Sequence, residues 1–426
     1  MNTSNNIVTI EKLIFGGQAL GRVDDKVILL WNALPGETVE FSVTRDKGSY
    51  CEGIAEKIIT SSPDRINPNE THYLSCSPWQ IMSWSCENIW KKKIAQEILK
   101  DYKLDFDIKY NNKYYGYRNK MEFSFTADDE DIIYPAFFER GKYSKYVRLD
   151  KCDLANDCIN KTTKDIISWL NTQQIPIQIL KVLMVRCDDN NNTIAALYIR
   201  EGFKFKDYPK LSNSFRGFNI YLSGFRSNAP VIDGVLYSNG EDFLSMKTGK
   251  VSLKYGINSF FQINKEMFEL ALEDIAKFLE PDKKVIDFFS GVGAVSLPLA
   301  DKFSEGILVE SSEESVNYAR INILENKLFH CRAESSSAED AIGFIKSDSI
   351  LIFDPPRPGL HKKIISKLLS EIPERIIYLS CNLSTQARDI GYLKEYYNIR
   401  FIRLYNFFPR TPHIESLCVL DKKIQV

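Results

Sequence analysis

The sequence predicts an α/β protein whose C-terminal part is a doubly wound, mostly parallel sheet, preceded by a small β-barrel and a central β-rich segment. Three observations carry this. From about residue 265 strand-like and helix-like runs alternate, which calls for parallel strands joined by helical crossovers. A glycine loop, Asp287-Phe-Phe-Ser-Gly291-Val-Gly293, follows the first strand of that region. Residues from about 7 to 60 form short apolar runs broken at regular spacing by Gly and Pro, as in a small barrel.

In the first segment the runs are Ile7-Val8-Thr9-Ile10, Lys26 to Leu30, Thr38 to Thr44 and Gly53 to Ile59. Gly16-Gly17, Pro35-Gly36 and Lys47-Gly48 mark the turns, and Ser61-Ser62-Pro63 reads as a linker. A helix is expected beyond Cys86, because Trp90, Ile94 and Ile98 recur at helical spacing with lysines on the other side. From about 115 to 250 the chain reads mainly as strand, with alternation in Met121 to Phe125 and Ile194 to Ile199 and a hairpin turn at Asn190 to Asn192. The later strands are expected at Val285–Phe289, Ile307–Val309, Ile350–Phe353, Arg375–Leu379, Ile399–Tyr405 and Leu417–Leu420. This divides the chain into domains of residues 1–60, 61–255 and 256–426.

Composition narrows the classes of function. The 426 residues carry a net charge of −1, which excludes a basic coat that grips any nucleic acid and leaves local patches to supply phosphate contacts. Such patches are Lys91-Lys92-Lys93, Lys142 with Lys145 and Arg148, and Lys204 with Lys206. No apolar run approaches the ~20 residues that span a bilayer. The polar start, Met1 to Asn6, has no secretory pattern. Nine cysteines, an odd number, point to reduced thiols. A cytoplasmic monomer is expected.

The glycine loop ends a strand and opens an expected helix, Val295 to Ala300, so its backbone can approach a ligand closely. The next strand ends in Glu310, a carboxylate placed to bind a ribose diol, as NAD or S-adenosylmethionine would require. Asp354-Pro355-Pro356-Arg357 ends a later strand. Enzymes that methylate exocyclic amino groups often place an aromatic ring after Asp-Pro-Pro; Arg357 stands there instead, which moves weight away from that chemistry.

Ser380-Cys381-Asn382 closes an apolar strand, and a thiol at a strand tip is a candidate nucleophile. Uracil gives it a purpose, since C5 becomes nucleophilic only after a thiolate adds at C6, and a base must then remove the C5 proton. Glu415 is the candidate base and His413 its rival.

These residues form a set with a precedent. Tyr117-Arg118-Asn119-Lys120-Met-Glu-Phe-Ser-Phe125, Ser259-Phe-Phe-Gln262-Ile-Asn264, the glycine loop, Asp354-Pro-Pro-Arg-Pro-Gly359, Ser380-Cys381-Asn382 and Pro412-His-Ile-Glu415-Ser stand in the order found in S-adenosylmethionine-dependent RNA uracil-C5 methyltransferases. The chain resembles that family over essentially its whole length. The resemblance implies a Rossmann-like methyltransferase domain, Cys381 as nucleophile, Glu415 as base, and Gln262, Phe289, Glu310 and Asp354 around the cofactor and target base. It aligns Glu334 near the adenine, puts Phe289 where Tyr is frequent, and puts Ala294 where Asn is frequent. The first 60 residues resemble the TRAM module, an OB-like RNA-binding barrel. Some bacterial tRNA enzymes lack it, so 23S ribosomal RNA is the expected partner; the alternatives are the tRNA T-loop and a catalytically inactive RNA-binding or ribosome-assembly factor. The resemblance also allows the helix near 87–100 to pack on the catalytic domain.

Many TRAM-bearing relatives hold a four-iron–four-sulfur cluster on Cys-x5-Cys-x2-Cys and a distant fourth Cys. Here Cys76 and Cys152 fall on two of those places, while Glu70 and Trp79 occupy the others; Cys86 and Cys158 are off the spacing. With two thiols where four are needed, no cluster and no metal are expected. For RNA, the run Tyr114-Tyr115-Gly116-Tyr117-Arg118-Asn119-Lys120 interleaves rings and cations, which either stack on bases or build a hairpin core.

Overall fold

The computed structural model describes residues 6–142, 145–225 and 230–424. Of the polar start of the chain, positions 1–5 lie outside them. Strands β1 (Ile7–Leu13), β2 (Ala19–Val23), β3 (Lys26–Trp31), β4 (Thr38–Asp46) and β5 (Tyr50–Thr60) close a barrel in the order β1-β2-β3-β5-β4. Alternation puts Val8, Ile10, Leu30 and Val39 inside. Gly36 and Gly48 take the left-handed φ values of +83° and +75° at the expected turns. β2 was not expected from its sequence, because Gly21 interrupts it. The glycine is steric: a Cβ there would lie 2.5 Å from the Thr9 carbonyl oxygen across the β1–β2 pair.

A single helical turn, α1 (Tyr73–Cys76), leads to α2 (Trp84–Ile98) and the two-residue strand β6 (Ile108–Lys109). Ser83 caps α2 by accepting from the Cys86 N–H at 3.3 Å. Ala95 and Leu99 pack with Leu383, Ile402, Leu404 and Ile414, so α2 sits on the C-terminal sheet, and β6 extends that sheet's edge. The Lys91-Lys92-Lys93 patch is corrected here. Lys91 is 2% exposed; its Nζ donates to Asn406 Oδ1 at 2.6 Å and pairs with Glu87 at 2.9 Å. It anchors α2 rather than facing phosphate, because removing a paired cation from water requires that its partners be buried with it.

The middle of the chain forms β7 (Lys120–Ala127), β8 (Ile133–Phe138), β9 (Tyr146–Arg148), α3 (Asp157–Gln173), β10 (Leu180–Cys187), β11 (Thr193–Ile199), β12 (Phe215–Leu222) and β13 (Gly234–Gly240). Its seven strands run β13-β12-β11-β10-β7-β8-β9. Asn191, at φ +60°, turns the β10–β11 hairpin. α3 was not expected. Its buried stripe is Ile159, Thr162, Thr163, Ile166, Ile167, Leu170 and Gln173, and the polar members of that stripe hide its period from an apolar count. A hairpin, β14 (Phe243–Thr248) and β15 (Val251–Gly256), follows.

The C-terminal part comprises α4 (Lys265–Ala276), β16 (Lys284–Phe288), β17 (Glu305–Glu310), α5 (Glu313–Glu325), β18 (Cys331–Ser335), β19 (Ser349–Phe353), α6 (Lys362–Glu371), β20 (Arg375–Ser380), α7 (Leu383–Leu393), β21 (Tyr397–Tyr405) and β22 (Glu415–Lys422). The eight-stranded order is β18-β17-β16-β19-β20-β22-β21-β6. Both faces are covered, as an α/β sheet requires. Val285, Ile350, Ile352 and Ile377 enter one core, while Ile286, Leu351, Phe353 and Ile376 enter the other. β22 inserts antiparallel between β20 and β21. The helix expected at Val295 to Ala300 is corrected to turns and a 3₁₀ segment, Leu297–Lys302; Pro298 lies at its start and withholds a backbone N–H.

Candidate active site

β20 is buried throughout its apolar run, Ile376 to Leu379 being 0% exposed, and it stops at Ser380. Asn382 then caps α7, accepting from the N–H groups of Ser384 and Thr385 at 3.2 and 3.3 Å, and its Nδ2 donates to the Arg357 carbonyl at 2.9 Å. Cys381 is held between these two fixed points. Ser380 pairs with Ser416 across the β20–β22 ladder. Because the pair is antiparallel, Cys381, one residue after Ser380, and Glu415, one residue before Ser416, come together at the sheet edge. Glu415 is 2% exposed. Burial and the Asp354 carboxylate raise its pKa well above the usual range. Burial, Glu415 and Asp354 push the Cys381 thiol up to about 11, against the pull of Arg357.

Asp354 follows β19 on the same edge. Gln262 Nε2 donates to it at 3.0 Å, and Asn119 Nδ2 holds the Gln262 carbonyl at 2.9 Å. Burial and Asp287 raise Asp354 to about 7.

The glycine loop follows β16, next to β19 and two strands from β20. Gly293 (φ +87°) packs so tightly that a Cβ would meet Leu297 at 2.5 Å. Phe289 also takes a left-handed φ of +62°, a conformation that costs a non-glycine residue about 1 kcal/mol or more and clusters at functional sites. Glu310 is fixed by backbone donors, Gly291 N–H at 3.0 Å on one oxygen and Ser311 and Ser312 N–H at 2.8 and 2.7 Å on the other. Glu334 on β18 opposes Val309, next to Glu310, and is paired with Arg332 at 3.0 Å; Ala294 is buried.

Asp287, 1% exposed, has neither carboxylate oxygen hydrogen-bonded, and Ser290 Oγ, three residues on, is likewise buried without a partner. Burial raises Asp287 from 3.8 to about 7; Ser296 lies near enough to temper the shift without a well-aligned bond. The folded state therefore holds a proton that the unfolded chain has lost, and that contribution disappears as pH rises through about 7. Asp287→Asn is expected to stabilise the protein by roughly 2–4 kcal/mol at pH 8.5 and by little at pH 4. Denaturant midpoints at both pH values read this; an equal shift at both would show that Asp287 is not strained.

A cleft of about 600 Å³ opens between the barrel, the central sheet and the catalytic edge, bringing Arg118, Lys120, Arg140, Arg357 and His413 together. Burial, followed by the Arg357, Lys91, Arg118 and Arg140 charges, lowers His413 to about 4, leaving a neutral, weakly basic ring. The aromatic run is divided. Tyr114 and Tyr115 flank the Arg410 guanidinium at 4.4 and 5.4 Å, with Trp84 at 5.6 Å. Tyr117 is buried and its hydroxyl donates to the Pro409 carbonyl. The rings are structural, and Arg118 and Lys120 face the cleft. Of the other lysine patches, Lys142 pairs with Glu139, Arg148 stacks on Tyr134 at 3.4 Å and Lys206 binds Gln174, while Lys145 and Lys204 stay exposed.

Phe260 was not singled out from the sequence. It is 64% exposed on the segment that carries Gln262, while Phe261 is buried against Tyr255. Strand-like alternation in Ser259 to Gln262 was the available signal that one of the two rings faces out.

The family model described as tRNA (Uracil-5-)-methyltransferase matches residues 87–423, and a TRAM domain model matches residues 7–55. An uncharacterized RNA methyltransferase of Aquifex aeolicus is 28% identical, over 98% of this chain and 98% of its own length. One of Nitratidesulfovibrio vulgaris is 26% identical, over 98% and 96%. In fold, the chain is similar to the Pyrococcus abyssi tRNA (uracil-54, C5)-methyltransferase solved with S-adenosyl-L-homocysteine, with a TM-score of 0.78, 24% identity and coverage of 97% and 99%.

Proposed function

Since the chain belongs to the tRNA (uracil-5-)-methyltransferase family, we propose that it methylates C5 of a specific uridine in structured RNA, with S-adenosylmethionine as the methyl donor. The observation that carries this reading is the β20–β22 register, which sets a thiol beside a buried carboxylate on one sheet edge. Cys381 adds as thiolate to uracil C6, forming a C–S bond and leaving the electron pair as an enolate that makes C5 nucleophilic. S-adenosylmethionine, when bound, would supply an electrophilic methyl group to that carbon, the S–CH3 bond breaking to leave S-adenosylhomocysteine. Glu415 takes the C5 proton, the C5–C6 double bond re-forms and the thiolate leaves. His413 is the weaker candidate base, because a ring lowered to about 4 has little affinity for a proton.

The residues present suit the cofactor. Glu310, pre-oriented by three N–H groups, would accept the ribose hydroxyls, Phe289 would flank the adenine, and Asp287 with Ser290 offers unpaired polar atoms to the donor's polar end. Gln262 and Asp354 line the border between donor and base. The exposed Phe260 ring supplies a face for a flipped base, which must leave its stack to meet a thiol. The Arg118, Lys120, Arg140 and Arg357 cleft supplies phosphate contacts. No helix among the described residues is long and apolar enough to cross a membrane. We take the enzyme to act in the cytoplasm as a monomer.

The TRAM barrel favours 23S ribosomal RNA. The tRNA T-loop has its own support: the P. abyssi tRNA enzyme aligns over 97% of this chain, so a full-length likeness, barrel included, occurs in an enzyme named for tRNA. Nucleotide-resolution mapping of 5-methyluridine in total RNA, from cells with and without this protein, is expected to lose one or more 23S positions. Loss only at a tRNA position would overturn the ribosomal choice, and no loss in either RNA would overturn the activity.

A further inference from the structure

Glu70, His72, Cys76 and Cys152 bring one donor atom each to a single point, all four within 4.8 Å of one another. Glu70 and His72 are each 7% exposed and Cys152 is fully buried. We propose that these four side chains form a mononuclear site for a zinc-class divalent cation, in place of an iron–sulfur cluster.

The residues do not fit a four-thiolate cluster. Trp79, on the third family position, is 2% exposed and donates its Nε1–H to the Gly17 carbonyl at 3.0 Å. Cys86 is buried in the core of the N-terminal barrel, and Cys158 packs at the core of the central sheet. Two thiols remain where a cubane needs four. His72 and Glu70 complete a different set: two sulfurs, one imidazole and one carboxylate, the donors of a closed tetrahedral zinc site.

Zinc–ligand bonds of about 2.0–2.3 Å place tetrahedral donors roughly 3.3–3.8 Å apart, so an ion needs only small side-chain rotations here. His72 Nε2 is buried with no hydrogen-bond partner, 3.2 Å from Glu70 Oε1. An orphaned imidazole nitrogen aimed at a carboxylate and two thiols is an unsatisfied arrangement that a cation completes. The supports are also in place. Gln80 Nε2 donates to Glu70 Oε2 at 2.7 Å, the Asp153 N–H donates to Glu70 Oε1, and Asn160 holds the Cys152 backbone through two 3.0 Å bonds. Such outer contacts orient ligands in metal sites. The ion would fasten α1 to the Cys152 loop of the central domain, on the wall of the basic cleft that Cys76 lines.

The test uses full-length protein purified anaerobically without added metal. Elemental analysis is expected to find about one zinc per chain and no acid-labile sulfide. Protein stripped by a chelator is expected to take up about one Co²⁺, with thiolate-to-cobalt charge-transfer and tetrahedral d–d bands. His72→Gln is expected to lower Co²⁺ affinity at least tenfold. The wild-type titration stands alone should that variant fold poorly. Near-stoichiometric iron with sulfide would overturn the proposal. So would a Cys76–Cys152 disulfide in the anaerobic protein, or failure of the stripped wild type to bind Zn²⁺ and Co²⁺. None of these readouts depends on methyl transfer.

Discussion

Cys381→Ala is expected to lower methyl transfer by about 10⁴-fold or more and to abolish any covalent protein–RNA species, while leaving S-adenosylmethionine affinity within about threefold of wild type. The size follows from what the thiol does. Without addition at C6, uracil C5 has no electron pair to offer, and the neighbouring carboxylates are poor substitutes: burial and Asp287 raise the proton affinity of Asp354, and burial and Asp354 raise that of Glu415. The affinity should survive because Cys381 sits at the end of β20, whereas Glu310 is at the tip of β17 and the glycine loop follows β16. The raised thiol pKa adds a signature. With the group near 11 in the free protein, the thiolate is a minor form at neutral pH and its share grows about tenfold per pH unit. Single-turnover methylation, which needs the thiolate but not the base, should therefore rise steadily from pH 6.5 to 9. Full activity in Cys381→Ala would favour methylation of an amino nitrogen instead, and a rate flat with pH would place the chemistry elsewhere.

Glu415→Gln is expected to trap the enzyme on its RNA. Addition at C6 and methylation of C5 do not require proton removal, but release of the thiol does, so the variant should accumulate a denaturant-resistant protein–RNA band and lose about 10²–10⁴-fold in turnover. Gln keeps the shape of a side chain that is 2% exposed and removes the group whose charge is disfavoured there, so the fold should hold or gain stability. The reading that sinks the assignment is turnover at the wild-type rate. His413→Ala serves as the comparison and should form no lasting adduct, since its neutral ring has no part in proton removal.

Much of the barrel and the sheet could be read from the chain because each follows from a period. Alternating apolar residues placed β1, β4 and β7, and buried runs placed β16, β19 and β20. The elements that escaped had periods masked by composition. β2 is broken by a glycine that a neighbouring strand requires. α3 buries threonines and a glutamine. β18, Cys-Arg-Ala-Glu-Ser, is an edge strand too polar to stand out. The lysine run at 91–93 read as a patch for phosphate contacts until Glu87 and Asn406 closed on Lys91.

What the sequence determined by itself was the inventory: a thiol at a strand tip, carboxylates at three others, glycines where the backbone must turn, and an ordered set of motifs that named a family. Those are local properties, set by side-chain chemistry and by the two or three residues on either side. Only the tertiary structure decided which of them meet. Cys381 and Glu415 adjoin because β22 threads antiparallel between β20 and β21, and Glu70, His72, Cys76 and Cys152 converge because the central domain folds back onto the segment that follows the barrel. Strand order and domain docking are set by burial summed over the whole chain, and no short stretch of sequence carries that sum.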